Sequence, residues 1–347
     1  MARAVARRLA GDHAFKDSYL IASLQRDLSV AVPRAEELVA EVSGIPAPPP
    51  VEWGLVDRGT WADANIDGLV ALLAPLAERI GDRLDQAPVG VRLAQRGIVS
   101  VEVGALLGYV SRRVLGQYDV LVPETPGPPE RPGRGAPLMF VGPNLLEIER
   151  RFSFVPQDFS LWIAVHEVTH RFQFSGVPWL KDRFMSLVSS YLDGVELDAR
   201  HFAARVRRAA LRLRSGALPP EERNPVYLLA SDEERTRLDE LQALMAVVEG
   251  HGNYVMDAVG AGAIPTFARM RRTFEHRRRH QTSLQRAIHH VIGLEMKLRQ
   301  YELGQSFCDG VVALEGPEAL HALWARPENL PSLSELRAPP RWLQRVA

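Results

Sequence analysis

Residues 161–180, LWIAVHEVTHRFQFSGVPWL, place His166, Glu167 and His170 inside an otherwise apolar run. The apolar residues recur at helical spacing, so the run predicts a helix over about residues 158–174, closed by the Ser-Gly pair and the Pro that follow. Two imidazoles and a carboxylate are costly to bury unless a partner satisfies them. The segment is therefore either a defect in the core or a metal site, and the remaining sequence has to decide between the two.

The three residues have the spacing of an H-E-x-x-H metal helix. Side chains at i and i+4 lie on one helix face, so the imidazoles of His166 and His170 can converge on one ion. Glu167 points about 100° away, which suits a base that acts on a water held by the metal. The alternative is a pair of surface histidines with an incidental Glu, and the apolar surroundings disfavour it. Arg171 departs from the uncharged residue that such helices usually carry at this position.

Glu249 is the best candidate for the third protein ligand that a catalytic zinc ion takes. It is the only carboxylate between Glu240 and Asp257, and its neighbours are apolar or Gly. A carboxylate buried there is costly unless a cation compensates for it. Gly250 and Gly252 weaken the helix but allow another backbone to approach closely. The alternative for Glu249 is an ion pair with a nearby Arg.

Four polar residues near Glu249 are candidates for contacts with the metal ligands or the substrate. His251 lies about 200° around the helix from Glu249, so the two side chains do not easily face one ion. A substrate contact, or a place on the helix surface, is favoured for His251. Asn253 and Asp257 follow Glu249 at i+4 and i+8, where they can bond the outer nitrogens of the metal histidines or face solvent. Tyr254 and His251 are candidates for stabilising an oxyanion.

Composition indicates a soluble globular protein with balanced charge. Hydrophobic residues make up 46% and charged residues 24%, and 42 basic residues match 42 acidic ones. Nucleic-acid and membrane partners usually require a basic excess, so we expect neither. The Arg-rich segment 269–280 is accordingly interpreted as a solvated or ion-pairing helix face. No signal-peptide core and no run of about 18 apolar residues is found, which predicts a cytoplasmic protein.

The cysteine content limits the metal chemistry. Cys308 is the only cysteine of the chain, which excludes an internal disulfide and zinc sites built from cysteines. His and carboxylate side chains remain as the available ligands. Cys308 itself is expected to be a buried apolar residue.

Helical patterns occupy most of the chain, so the predicted fold class is α+β and predominantly helical. Two short β segments, residues 117–122 and 136–142, flank a turn-rich loop and predict a small hairpin or sheet beside the metal helix. Further helices are predicted over residues 13–43, 60–80, 99–115, 179–214, 231–260 and 265–303. The helix that begins at Ser231 carries Glu234 three positions later, which is the pattern of a capping box.

The Pro-rich segment GIPAPPP divides the predicted domains. Residues 1–50 are expected to form an N-terminal helical arm with a Pro-rich linker. Residues 51–347 are expected to form the metal-site domain, with a helical lobe over residues 51–115 and the metal-site region over residues 116–347.

At these residues the chain resembles the zincin-like superfamily, in particular the gluzincin arrangement, in which a later helix supplies a Glu ligand to the H-E-x-x-H site. The EGHGNYV block is similar to the segments that carry this Glu in several such peptidases. From about Trp53 to Trp342 the chain more closely resembles a bacterial family of zincin-like hydrolases labelled as associated with deazaflavin-coenzyme biosynthesis. The resemblance rests on VDRGTWADANI, HEVTHRFQFSGVPWL, EGHGNYVMDAVG and GLEMKLRQYELGQSFC.

The resemblance implies a zinc ion held by His166, His170 and Glu249, with Glu167 as the general base. The predicted function is a zinc-dependent metallohydrolase, a peptidase or amidase that acts on a peptide or amide substrate. The alternative is a catalytically inactive, zinc-containing scaffold or interaction protein linked to a coenzyme pathway. His251 stands where related segments often have an aromatic or small residue, so its role stays open at this point.

Overall fold

The computed structural model describes residues 1–15, 18–84, 89–121, 137–194, 206–207, 211, 225–279 and 294–347. The described chain is predominantly helical with one small sheet, which confirms the predicted α+β class. The turn-rich loop between the two predicted β segments lies outside the described residues, as does most of the predicted helical stretch after Gly194.

Most elements of the described chain are helices, and the three short strands lie between residues 53 and 141. In chain order they are α1 (Ala2–Ala10), α2 (Tyr19–Ser43), β1 (Trp53–Val56), α3 (Arg58–Leu84), α4 (Val89–Ser111), β2 (Gly116–Tyr118), β3 (Leu138–Val141), α5 (Gly142–Phe152), α6 (Pro156–Arg171), a π-helical turn (Phe172–Gly176), α7 (Leu180–Gly194), α8 (Pro225–Leu229), α9 (Asp232–Ala263), α10 (Phe267–Arg279), α11 (Leu294–Glu315), α12 (Ala322–Ala325), α13 (Leu333–Leu336) and α14 (Pro339–Val346). Short 3-10 turns cover Pro317–His321 and Pro327–Asn329.

The chain divides into two compact units. The first consists of Met1–Gly176 and Val255–Arg277, and the second of Val177–Tyr254 and Arg278–Ala347. Helices α1 to α6 and the sheet therefore belong to the first unit, together with the last turns of α9 and most of α10. The predicted division into an N-terminal arm and a metallohydrolase domain stays a prediction.

The sheet of the first unit has three strands in the order β1-β3-β2. Strand β1 is parallel to β3, with Trp53 opposite Leu138, and β2 is antiparallel to β3, with Gly116 opposite Phe140. The two predicted β segments contribute neighbouring antiparallel strands, as expected, but the strands are shorter than predicted: residues 119–121 lie outside β2, and Gly142 begins α5. Strand β1, which has four residues, was not predicted from the sequence. Helix α6 packs on β2 and β3, so the sheet supports the helix that carries the two histidines.

Helix α6 begins at Pro156, a position that suits Pro because the first helical N–H has no partner within the helix. The Asp158 carboxylate in its first turn accepts hydrogen bonds from the backbone and side chain of Thr266, at 3.0 and 2.6 Å. The α-helix ends at Arg171 and continues as the π-helical turn. The prediction of one α-helix to residue 174 was therefore wrong in its last turn.

Arg171 joins the end of α6 to the Pro-rich segment. Its side chain is fully buried, forms an ion pair with Glu36 of α2, and donates hydrogen bonds to the carbonyl oxygens of Pro48 and Pro49 at 2.9 and 2.5 Å. A buried guanidinium is tolerated because these acceptors replace its hydration. The contacts explain why a charged residue follows His170 in an otherwise apolar helix.

In the second unit, α9 and α11 cross with their backbones in contact. A Cβ atom added to Gly250 would lie 2.1 Å from the carbonyl carbon of Gly304, and one added to Gly304 would lie 1.8 Å from the carbonyl oxygen of Ala246. The expectation that Gly250 allows another backbone to approach closely is confirmed. The capping box of α9 is also confirmed, because Glu234 accepts from the backbone N–H of Ser231 at 2.6 Å, and Ser231 Oγ accepts from that of Glu234 at 3.2 Å.

The Pro-broken C-terminal segment is anchored by a tryptophan. Trp342 of α14 is fully buried, its ring meets Phe307 edge to face at 5.2 Å, and its indole N–H donates to the carbonyl oxygen of Asn329 at 2.6 Å. Cys308 is fully buried, as predicted, and burial raises the pKa of its thiol. Within the described residues, none of the helices combines the length and apolar character needed to cross a bilayer.

Candidate metal centre

The two histidines of α6 present the same ring nitrogen to one point. The Nε2 atoms of His166 and His170 lie 3.2 Å apart, and the two rings meet edge to face at a centroid distance of 4.6 Å. Two nitrogens that each lie about 2.0–2.1 Å from a tetrahedral ion are about 3.4 Å apart. The observed separation therefore fits two imidazole ligands of one ion, as the i, i+4 spacing predicts.

The outer nitrogen of His170 is engaged by a residue that the sequence analysis did not single out. His170 Nδ1 lies 2.9 Å from the side-chain Oε1 of Gln173, which is fully buried in the π-helical turn. An amide oxygen only accepts hydrogen bonds, so this contact suits an imidazole with its proton on Nδ1, which leaves the Nε2 lone pair for a ligand bond. The i+3 spacing from His170 was the signal that could have identified Gln173.

Glu167 is 6% exposed and lies against the first residue of the edge strand β2. A Cβ atom added to Gly116 would lie 2.6 Å from Glu167 Cγ and 2.8 Å from its Cδ and Oε1. The carboxyl group thus occupies the space that any other side chain at position 116 would fill. A glycine at the start of a strand often marks such a close approach, and this signal was missed in the sequence.

Glu249 is 6% exposed, and the structure brings it near the two histidines. One ligand atom from each of His166, His170 and Glu249 lies within 4.8 Å of the other two. Two imidazoles and one carboxylate are the donor set of several catalytic zinc sites. The three residues whose ligand role the sequence predicts therefore form one cluster with suitable chemistry.

The remaining predicted residues lie in different surroundings. His251 is fully buried and its ring meets Trp324 edge to face at 5.0 Å, so the alternative of a place on the helix surface is wrong. The ring centroids of Tyr254 and His251 lie 6.4 Å apart, and burial raises the pKa of the Tyr254 phenol. The Asp257 carboxylate lies 2.8 Å from the guanidinium of Arg271. Asn253 is half-buried.

The Arg-rich helix α10 has contacts typical of an ion-pairing face. Arg271 contacts Glu275 at 3.3 Å in addition to Asp257, and Arg269 donates to the carbonyl oxygens of Ser153 and Phe152 at 3.0 and 2.8 Å. These contacts agree with the interpretation based on net charge. They give no support to an anion-binding strip at these two arginines.

The cluster has the donor chemistry of a metal site, and the comparisons with known proteins agree with it. Over residues 1–343 the chain matches the family described as zincin-like metallopeptidases, and it belongs to that family. A crystal structure from Chloroflexus aurantiacus, described as a "putative hydrolase with a novel fold", is similar to this chain with a TM-score of 0.66 and 30% identity. The match covers 99% of this chain and 96% of that protein. No curated protein matches the chain.

Proposed function

We propose that the protein is a zinc-dependent hydrolase that cleaves a peptide or amide bond. The proposal is carried by the cluster of His166, His170 and Glu249, whose ligand atoms lie within 4.8 Å of one another. Membership of a family of zincin-like metallopeptidases supports the metal and the class of reaction. The predictions of a cytoplasmic location and of no nucleic-acid partner accompany this proposal.

The chemistry of the donor set fits zinc better than a hard cation. Two imidazoles and one carboxylate suit Zn²⁺, whereas Mg²⁺ and Ca²⁺ prefer a shell made of oxygen atoms. In this proposal Nε2 of His166, Nε2 of His170 and a carboxylate oxygen of Glu249 hold the ion. When bound there, zinc lowers the pKa of a water ligand to about 7 and polarises the substrate carbonyl group.

Glu167 performs the proton transfers in the proposed mechanism. Its carboxylate accepts a proton from the water as the water oxygen attacks the carbonyl carbon of the substrate. It then delivers that proton to the nitrogen of the leaving group while the C–N bond breaks, so the products are a carboxylic acid and an amine. Packing against Gly116 restricts the movement of the carboxyl group, which favours a fixed geometry for both transfers.

The test of the proposed function is hydrolysis of a mixture of fluorescence-quenched peptides by the zinc-loaded protein, with and without a chelator. Hydrolysis that stops with the chelator and returns with zinc is expected. Glu167→Gln should keep one zinc per chain and lose at least about 100-fold in rate, because the ligands remain and only the base is removed.

Two results would contradict parts of the proposal. If Glu167→Gln hydrolyses the peptides as fast as the unchanged protein, Glu167 is not the base. If zinc binds stoichiometrically and no peptide or amide is cleaved, the protein is the catalytically inactive zinc scaffold that the sequence analysis kept as its alternative.

A further inference from the structure

The π-helical turn at the end of α6 carries a polar side chain in a place where burial is expensive. Gln173 has no exposed surface, and an amide without hydrogen-bond partners is costly in such a place. Its Oε1 atom lies 2.9 Å from Nδ1 of His170. Single π-helical turns occur frequently at functional sites, because the inserted residue changes the direction of the side chains that follow.

Contacts from several directions hold this turn in place. Ser175 Oγ lies 2.9 Å from the hydroxyl of Tyr118 in the edge strand, and the Phe174 ring stacks on the Tyr118 ring at 6.4 Å. On another side, a Cβ atom added to Gly176 would lie 2.6 Å from the carbonyl oxygen of Pro46. The strand and the Pro-rich segment thus fix the turn that carries Gln173.

We propose that Gln173 is a positioning residue for the metal site. Its side chain holds His170 as the Nδ1–H tautomer and thereby orients the Nε2 atom of His170 towards zinc. The inference rests on the proposed zinc site and deepens it. An imidazole ligand usually donates its other ring N–H to an oxygen acceptor, which fixes the ring orientation and raises the basicity of the ligand. Here the acceptor is supplied three residues further along the same chain segment instead of by a distant carboxylate.

The test compares two substitutions of similar size that differ in their hydrogen-bonding capacity. Gln173→Met fills the same volume without a comparable acceptor, and its affinity for zinc should fall by about 10–100-fold, the usual effect of removing such a partner. Gln173→Glu retains an oxygen at the same reach and should restore the affinity to near that of the unchanged protein. Zinc affinity is measured by competition with a chromophoric chelator, which requires no substrate.

Gln157 provides a matched control on the same helix. It is exposed and its side-chain amide donates to Asp27 at 3.1 Å, away from the histidines. Gln157→Met should leave zinc affinity unchanged. The melting temperatures of all metal-free variants are compared, so that a loss of folding is distinguished from a loss of affinity. A purely structural role for Gln173 would lower the melting temperature of the metal-free protein and leave the zinc affinity of the folded fraction unchanged.

Nuclear magnetic resonance of the unchanged protein tests the inference even if a variant does not fold. In protein loaded with ¹¹³Cd and labelled with ¹⁵N in its histidines, scalar coupling is expected between the metal and Nε2 of His170, with a proton retained on Nδ1. Coupling to Nδ1 would overturn the inference, and so would a Met variant that binds zinc as tightly as the unchanged protein. If the unchanged protein binds no zinc, the proposed function fails together with the inference.

Discussion

The contact between Gly116 and Glu167 makes a single added methyl group a sensitive probe of the proposed base. In Gly116→Ala the new Cβ atom would lie 2.6 Å from Glu167 Cγ and 2.8 Å from its Oε1. Ordinary van der Waals contact begins at 3.4 Å, so the carboxyl group has to move by about 0.8 Å or the strand has to shift. The two histidines proposed as zinc ligands need not move, because neither carries the overlapping atoms.

The expected loss follows from this displacement. A misplacement of about 1 Å in a catalytic group costs about 100-fold in rate, equivalent to about 2.7 kcal/mol in the activation free energy. We therefore expect Gly116→Ala to lower kcat/KM by about two orders of magnitude while zinc stoichiometry stays at that of the unchanged protein. The free energy of unfolding should fall by about 1–3 kcal/mol, as for other overpacked sites.

The assay is hydrolysis of the quenched-peptide mixture, together with metal analysis and thermal melting. Gly262→Ala is the control, because a Cβ atom there has no heavy atom within 4 Å and should leave the rate unchanged. Full zinc content in Gly116→Ala together with a rate near that of the unchanged protein would contradict this prediction. That result would mean that the carboxyl position beside β2 is not the one used in catalysis.

The proposed zinc ligands, one close helix crossing and one buried carboxyl group can each be tested by further measurements. Removal of zinc should lower the melting temperature, because a metal bound only by the native state adds about 4 kcal/mol at 1,000 times its Kd; an unchanged calorimetric curve argues against a native site. Metal analysis should show sharply reduced zinc in Glu249→Ala and near-full zinc in His251→Ala, and the reverse pattern would transfer the ligand role to His251. Gly250→Ala should lower the urea midpoint, since its Cβ would lie 2.1 Å from the carbonyl carbon of Gly304; an unchanged midpoint would refute the close crossing. Burial raises the pKa of Glu149 from 4.5 to about 7, so its contribution to stability is present below about pH 4.5 and is lost as the pH rises to about 7. In thermal melts over this pH range, Glu149→Gln should reduce the fall in stability with rising pH. If the dependence of stability on pH is unchanged in this variant, Glu149 is not the cause of the fall.

The metal helix illustrates what could be predicted from the sequence. Helix geometry fixes the angle between residues separated by one, three or four positions, so the shared face of His166 and His170 and the separate direction of Glu167 follow from spacing alone. The capping box at Ser231 and Glu234 was predictable for the same reason, since all its partners lie within four residues. Patterns of this kind depend on short-range geometry that the rest of the chain does not alter.

Gln173 was missed although a local signal was present, whereas Arg171 shows where local spacing is insufficient. The predicted helix continued to residue 174, whereas the chain forms a π-helical turn at Gln173, and the contact of Gln173 with His170 was not predicted. The acceptors of Arg171 are Glu36 and two prolines more than 120 residues away. No pattern within a helix predicts that such a distant segment supplies hydrogen bonds to its end.

Short-range patterns in the sequence predicted Glu167 as the proposed base and His166 and His170 as two proposed metal ligands, and they favoured Glu249 as the third. Their surroundings, including Gly116 beside Glu167, and the parallel pairing of β1 with β3 became visible only in the folded chain. Residues close in sequence are related by the geometry of one helix, so their relative directions can be predicted. Contacts between distant segments depend on the way in which several separate surfaces pack together. Local patterns in a single sequence do not reveal that packing.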